Sequence, residues 1–171
     1  MHPETPPLAP KPNRLAAGLS WLAAGALAVA ALFFDILRAH SQGLEWVQGF
    51  WRQEVVDGTP TIDVLFGVTV IVGVVAVAVA ALLVFVAGQH RADIAVGSFG
   101  MGVFVAADLH WFLIVASPPQ GTLTHSLRLG FWLLATAAVV ALVALILSFV
   151  GRGRRSRDGL TVEALRDRPH S

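Results

Sequence analysis

The chain has 171 residues, of which 56% are hydrophobic and 13% charged; its net charge is +1 and it contains no cysteine. A typical soluble domain carries about 25% charged residues, so the composition points to a membrane protein of one domain. The missing cysteine excludes disulfides, thiolate metal sites and thiol catalysis. Arginine outnumbers lysine eleven to one, and Ala and Val dominate the apolar set, a bias that points to a GC-rich bacterial genome.

Residues 1–14 hold five prolines and are expected to form a disordered or polyproline cytoplasmic tail, since proline removes helix donors. The first span is expected over 15–37, apolar until Asp35. Ala28-Val29-Ala30 offers an A-x-A-like cleavage site. The apolar run continues through Leu32-Phe33-Phe34, however, and is long for a signal peptide, so an uncleaved helix is expected.

The first extracytoplasmic loop runs from Arg38 to Thr61. At 100° per residue, Leu44, Trp46, Val47, Phe50, Trp51 and Val55 share one side of residues 44–55. That pattern predicts an amphipathic helix lying in the interface, with Trp46, Phe50 and Trp51 as its anchor at headgroup depth. The arrangement Trp46…Gly49-Phe50-Trp51 faintly resembles the first extracellular loop of claudins. The two cysteines that should follow are absent and the loop is too short, so nothing is carried over from that family.

Asp57-Gly58 reads as a turn, and Thr59-Pro60 as an N-cap with proline at the first helical position. Asp63 then falls in the first turn of the second helix, where a carboxylate favours the macrodipole. The second span is expected over 64–87 and contains no ionisable residue; Gly88 and Arg91 suit its end. A short connection to Asp93 makes the second and third spans antiparallel neighbours. The third span, 94–116, carries Asp108 and His110 in its second half. A loop with Pro118, Pro119 and Gly121 leads to the fourth span, 127–150. Residues 151–171 form a basic cytoplasmic tail, and Arg152, Arg154, Arg155 and Arg157 read as a juxtamembrane contact with anionic lipid rather than with nucleic acid.

Arginine placement sets the expected topology. Lys11, Arg14, Arg91 and the tail cluster lie on one side. Arg38, Arg52 and Arg128 lie on the other, diluted by Glu45, Glu54 and Asp57. The rule that cytoplasmic loops are the more positive then places both termini in the cytoplasm of a bacterial plasma (inner) membrane.

Three spans also carry seams of small residues at 4-3-4 spacing. These are Ala17, Trp21, Ala24, Ala28, Ala31 and Asp35 in the first, and Thr69, Gly73, Ala76, Ala80 and Ala87 in the second. In the fourth they are Gly130, Leu134, Ala137, Ala141, Ala144 and Ser148. Small residues let membrane helices approach closely. The expected fold is thus an all-α membrane protein: an antiparallel bundle of four transmembrane helices with one interfacial amphipathic helix.

Asp108, His110, Asp35 and Arg128 make up the candidate intramembrane polar site, near which His40, Asp63, His125 and Arg38 also fall. An acid in the bilayer costs about 2.5–3.5 kcal/mol on insertion scales. Asp108 lies about 4 Å outward of its span's midpoint at 1.5 Å per residue, and His110 lies roughly 200° around the helix from it. In one reading the acid is structural, bonded to Arg128, Arg38 or the Trp132 indole. In another it relays a proton or ion; small multidrug transporters also use four spans and one acid, but theirs sits on the first helix. A metal site from His40, His110, His125 and a carboxylate lacks a close-spaced ligand pair. A b-haem held by His110 and His40 has only those histidines in its favour. No catalytic spacing is present. The expected function is a non-enzymatic accessory or assembly subunit without metal or cofactor, its partners being lipid and a second copy or another membrane protein. The alternative is a small oligomeric proton- or ion-coupled transporter using Asp108.

Overall fold

The computed structural model describes residues 12–41, 44–55, 61–62, 64–86, 90–117 and 124–166. Its helices are α1 (Pro12–Ala31), α2 (Leu65–Val86), α3 (His90–Ala116) and α4 (Leu129–Arg166). Each contains a segment long and apolar enough to cross a membrane: Arg14–Ala31, Leu65–Val86, Arg91–Ala116 and Leu129–Val150. Large apolar side chains such as Leu19, Val75, Leu113 and Val139 stand exposed along these segments. Such a surface suits lipid and would be anomalous in water. Among the described residues, four helices are thus long and apolar enough to span a membrane, as in a membrane protein.

The helices pack in a ring in which α1 and α3 each touch both α2 and α4. Small residues set that packing. Ala17, Trp21, Ala24, Ala28 and Ala31 of α1 are all buried, as are Gly130, Leu134, Ala137, Ala141, Ala144 and Ser148 of α4. In α2 the stripe runs instead through Val70, Gly73, Ala76, Val77, Ala80, Ala81 and Val84, and Thr69 is exposed. The Thr69 hydroxyl donates back to the Leu65 carbonyl of its own helix (2.9 Å), so it needs no partner across the bundle. Trp21 is 0% exposed and meets Gly97 across the middle of the ring; a methyl at Gly97 would collide with its indole. Phe104 fills the matching space against Gly73.

The expected interfacial helix over 44–55 is not a helix. It forms two strands of a five-stranded antiparallel sheet, so the fold is not all-α. The strands are β1 (Leu37–Ser41), β2 (Leu44–Gln48), β3 (Arg52–Val55), β4 (Thr61–Ile62) and β5 (Thr124–Leu127), in the spatial order β4-β3-β2-β1-β5. Four strands come from the α1–α2 connection and one from the α3–α4 connection. The register aligns Ala39 with Trp46 and His125, and Trp46 with Val55. A helical reading of 44–55 fits the aromatic positions equally well, but Gly49 weakens a helix while Trp46, Val47 and Val55 favour a strand. β2 pairs with β1 and β3, its neighbours in the chain, and the distant strand β5 joins the sheet on the far side of β1.

The same sheet accounts for the shifted span ends. After Ala31 the chain tightens into i→i−3 bonds (Leu32 to Val29, Phe33 to Ala30, Phe34 to Ala31) and then extends, so residues 32–37 are not part of a helical span. Thr61–Ile62 is a strand, so α2 does not begin at Pro60; Thr59, Pro60 and Asp63 lie outside the described residues. Residue 127 ends β5, and α4 starts at Leu129. At the other end α1 already begins at Pro12, and the α4 backbone continues past the span to Arg166.

Backbone bonds lock the sheet onto two helix N-termini. The first N–H groups of a helix have no partner within it. Here Gly67 N–H of α2 donates to the Phe50 carbonyl (3.0 Å), and Gly130 N–H of α4 donates to the Asp35 carbonyl (2.9 Å). Glycine is required at 130, since a Cβ there would lie 2.7 Å from the Phe34 carbonyl oxygen.

Candidate functional site

The end of the bundle that carries the sheet gathers a cluster of polar residues. Strand alternation sorts them onto two faces. Leu37, Ala39 and Gln48 are buried on the face toward the helices, with Trp46, His125 and Leu127 half-buried beside them. The opposite face carries Arg38, His40, Glu45, Arg52, Glu54, Thr124 and Ser126. Arg38 Nε bonds Glu45 Oε1 at 2.9 Å, and Arg52 Nη1 lies 3.4 Å from Glu54 Oε1.

The expected polar site divides into two parts. Asp35 and Arg128 are brought together through the main chain: Arg128 N–H donates to the Ile36 carbonyl (2.8 Å), next to the Asp35–Gly130 bond. The Arg128 side chain is exposed. Asp108 and His110 stand apart, on α3. His110 is exposed and its ring lies 5.0 Å from Phe66 of α2 and 5.3 Å from Trp111; Phe66 and Trp111 are 4.9 Å apart, giving a three-ring cluster across α2 and α3. Asp108 is half-buried, and its Oδ1 is fully buried without a hydrogen-bond partner among the described residues. Of the donors expected for it, Arg38 is engaged by Glu45, and Trp132 is exposed with its ring edge-on to Phe131 (5.2 Å). Trp111 Nε1 and His125 Nδ1 are also buried and unpartnered among the described residues.

His40 and His125 point to opposite faces of the sheet, since His125 aligns with Ala39 and His40 with Thr124. The described residues contain no group of three His, Asp or Glu placed to hold a metal ion.

Trp46, Phe50 and Trp51 do not share a membrane-facing surface. Trp46 faces the bundle from β2. Phe50 is 1% exposed in the core, and Trp51 packs on Gly67 of α2. The β2–β3 turn that holds them is closed by Gly49 N–H to the Arg52 carbonyl (2.8 Å).

Sequence reasoning also missed Asp93, which is 1% exposed in the first turn of α3. The signal was present, because Asp93, Gly97, Gly100, Phe104, Ala107 and Trp111 repeat the 4-3-4-3-4 spacing of the other seams, and all are buried. Side chains of 151–166 lie outside the described residues, and with them the arginine cluster.

No protein-family model matches the chain, and no curated protein matches it in sequence.

Proposed function

We propose that this is a small non-enzymatic accessory or assembly subunit of a bacterial inner membrane, with both termini cytoplasmic and the sheet on the outer side. The observation that carries the proposal is the contrast between a closed bundle and an open sheet. Trp21 and Phe104 fill the ring's centre against Gly97 and Gly73, which favours a structural bundle over a conduit. The sheet offers a polar face with charges of both signs, a pattern suited to specific partner contacts. The basic residues on the opposite side support the orientation. Photo-crosslinkers placed at Arg38, Val47 and Ser126 in native membranes test this. Adducts to one discrete membrane protein, lost when Glu45 and Arg52 are reversed in charge, are the expected result. Adducts to lipid alone would refute the partner role.

A second reading, an oligomeric proton- or ion-coupled transporter, is favoured by one observation, the unpartnered Oδ1 of Asp108. A carboxylate in a span without a donor is a natural exchange site. Asp108→Asn separates the readings, because the amide keeps hydrogen-bonding capacity and cannot exchange a proton.

A further inference from the structure

A half-open pocket of about 210 Å³ lies between the turn that ends α1 and the β2–β3 turn. Phe33, Phe34, Phe50 and Trp51 supply its apolar wall, and Asp35 and Arg52 supply its charges. Its depth in the membrane follows from the spans. The α1 span ends at Ala31 and the α2 span starts at Leu65, and Phe50 is bonded to the first turn of α2. The pocket therefore sits where hydrocarbon gives way to headgroups, and Phe33, at its lip, is 81% exposed. Aromatic side chains are at home at that depth.

We infer that this pocket binds the headgroup of an amine-bearing phospholipid, phosphatidylethanolamine being the simplest. A site for drug-sized molecules spans about 300–1,000 Å³; this pocket, at about 210 Å³, is smaller and suits a headgroup. Its two charges differ in sign, so the ligand that satisfies both carries an ammonium and a phosphate. Asp35 lines the pocket, and in this assignment its carboxylate accepts from the ammonium, while its main-chain carbonyl is bonded by Gly130. The Arg52 guanidinium has five N–H donors, and the exposed contact with Glu54 at 3.4 Å engages one nitrogen. The remaining donors serve the phosphate. An anionic headgroup without an amine would set a phosphate beside Asp35 with nothing to neutralise that carboxylate, so the pocket discriminates against phosphatidylglycerol.

Native mass spectrometry of the full chain, released from detergent with equimolar phosphatidylethanolamine and phosphatidylglycerol, tests the inference. The wild type retains the ethanolamine lipid several-fold over the glycerol lipid, the scale of one exposed ion pair. Asp35→Asn brings the ratio to about one, and Arg52→Gln lowers retention of both lipids. Glycerophosphoethanolamine, the same headgroup without acyl chains, does not displace the lipid. A thermal transition measured on each variant shows whether it is folded. Should Asp35→Asn fail to fold, the surface variant Arg52→Gln carries the test alone, through its loss of ethanolamine lipid. Equal retention of the two lipids by the wild type, lipid ratios and amounts unchanged in the folded variants, or displacement by the soluble headgroup would each overturn the assignment.

Discussion

Gly100 and Gly102 lie two residues apart on α3, and the same substitution should have opposite effects at them. A Cβ at Gly100 would lie 2.8 Å from Val77 Cγ1, 2.9 Å from the Gly73 carbonyl oxygen and 3.1 Å from Ala76 Cβ. The carbonyl belongs to α2 and cannot move unless the helix does. Restoring a contact of about 3.5 Å needs the two helices to separate by roughly 0.6 Å, and a gap of that size forfeits a quarter to a half of each dispersion contact it opens. Overpacking of this kind costs about 1–3 kcal/mol. At Gly102 a Cβ meets nothing within 4 Å. Both substitutions gain the helix propensity of alanine over glycine, up to about 1 kcal/mol. Gly102→Ala should therefore be neutral or stabilising, and Gly100→Ala should fall below it by about 1–3 kcal/mol. Reversible unfolding in mixed micelles, followed by circular dichroism, measures both. Equal stability of the two variants would refute the close approach of α2 and α3 at Gly73.

Other substitutions probe the sheet and the buried acid. Phe50→Ala should cost about 3–5 kcal/mol as a core truncation in the same unfolding assay, whereas an interfacial anchor would lose little. Replacing Arg38 or Glu45 by Ala should change stability by no more than about 1 kcal/mol, since the pair is exposed. Asp108→Leu should fold at least as stably as the wild type, because it removes a buried acceptor that has no donor among the described residues; a large loss of stability would reveal a partner for Asp108. Reporter fusions after Ala92 and Arg157 should read cytoplasmic, and fusions after Gly58 and Gly121 periplasmic.

The four spans and the seams of α1 and α4 were legible in the chain because both are local properties, whereas the buried stripe of α2 runs through Val70 and Val77 rather than Thr69. Twenty apolar residues specify a crossing, and alanines repeating at 4-3-4 spacing mark a seam whatever lies opposite. The sheet was not legible, for two reasons. Over 44–55 the aromatic spacing satisfies a period of 3.6 as well as it satisfies β2 and β3 with a turn between them. The pairing of β1 with β5 joins Arg38 to Ser126 across the whole of α2 and α3, and no local pattern reports such a contact. Trp46, Phe50 and Trp51 were singled out as anchors from their type and spacing alone, and the turn at Gly49 that sends Phe50 into the core falls between them. In the polar site, Arg128 N–H bonds the Ile36 carbonyl and Gly130 N–H the Asp35 carbonyl, main-chain contacts that side-chain chemistry does not reveal.

The most direct test of the account is proton flux through the purified chain in liposomes carrying a pH-sensitive dye, with an imposed pH gradient and potassium with valinomycin to set the voltage. An accessory subunit with a closed bundle predicts that the wild type and Asp108→Asn both remain at the leak of protein-free liposomes. Flux above that leak in the wild type, abolished in a folded Asp108→Asn, would contradict the account and make the protein a proton-coupled transporter.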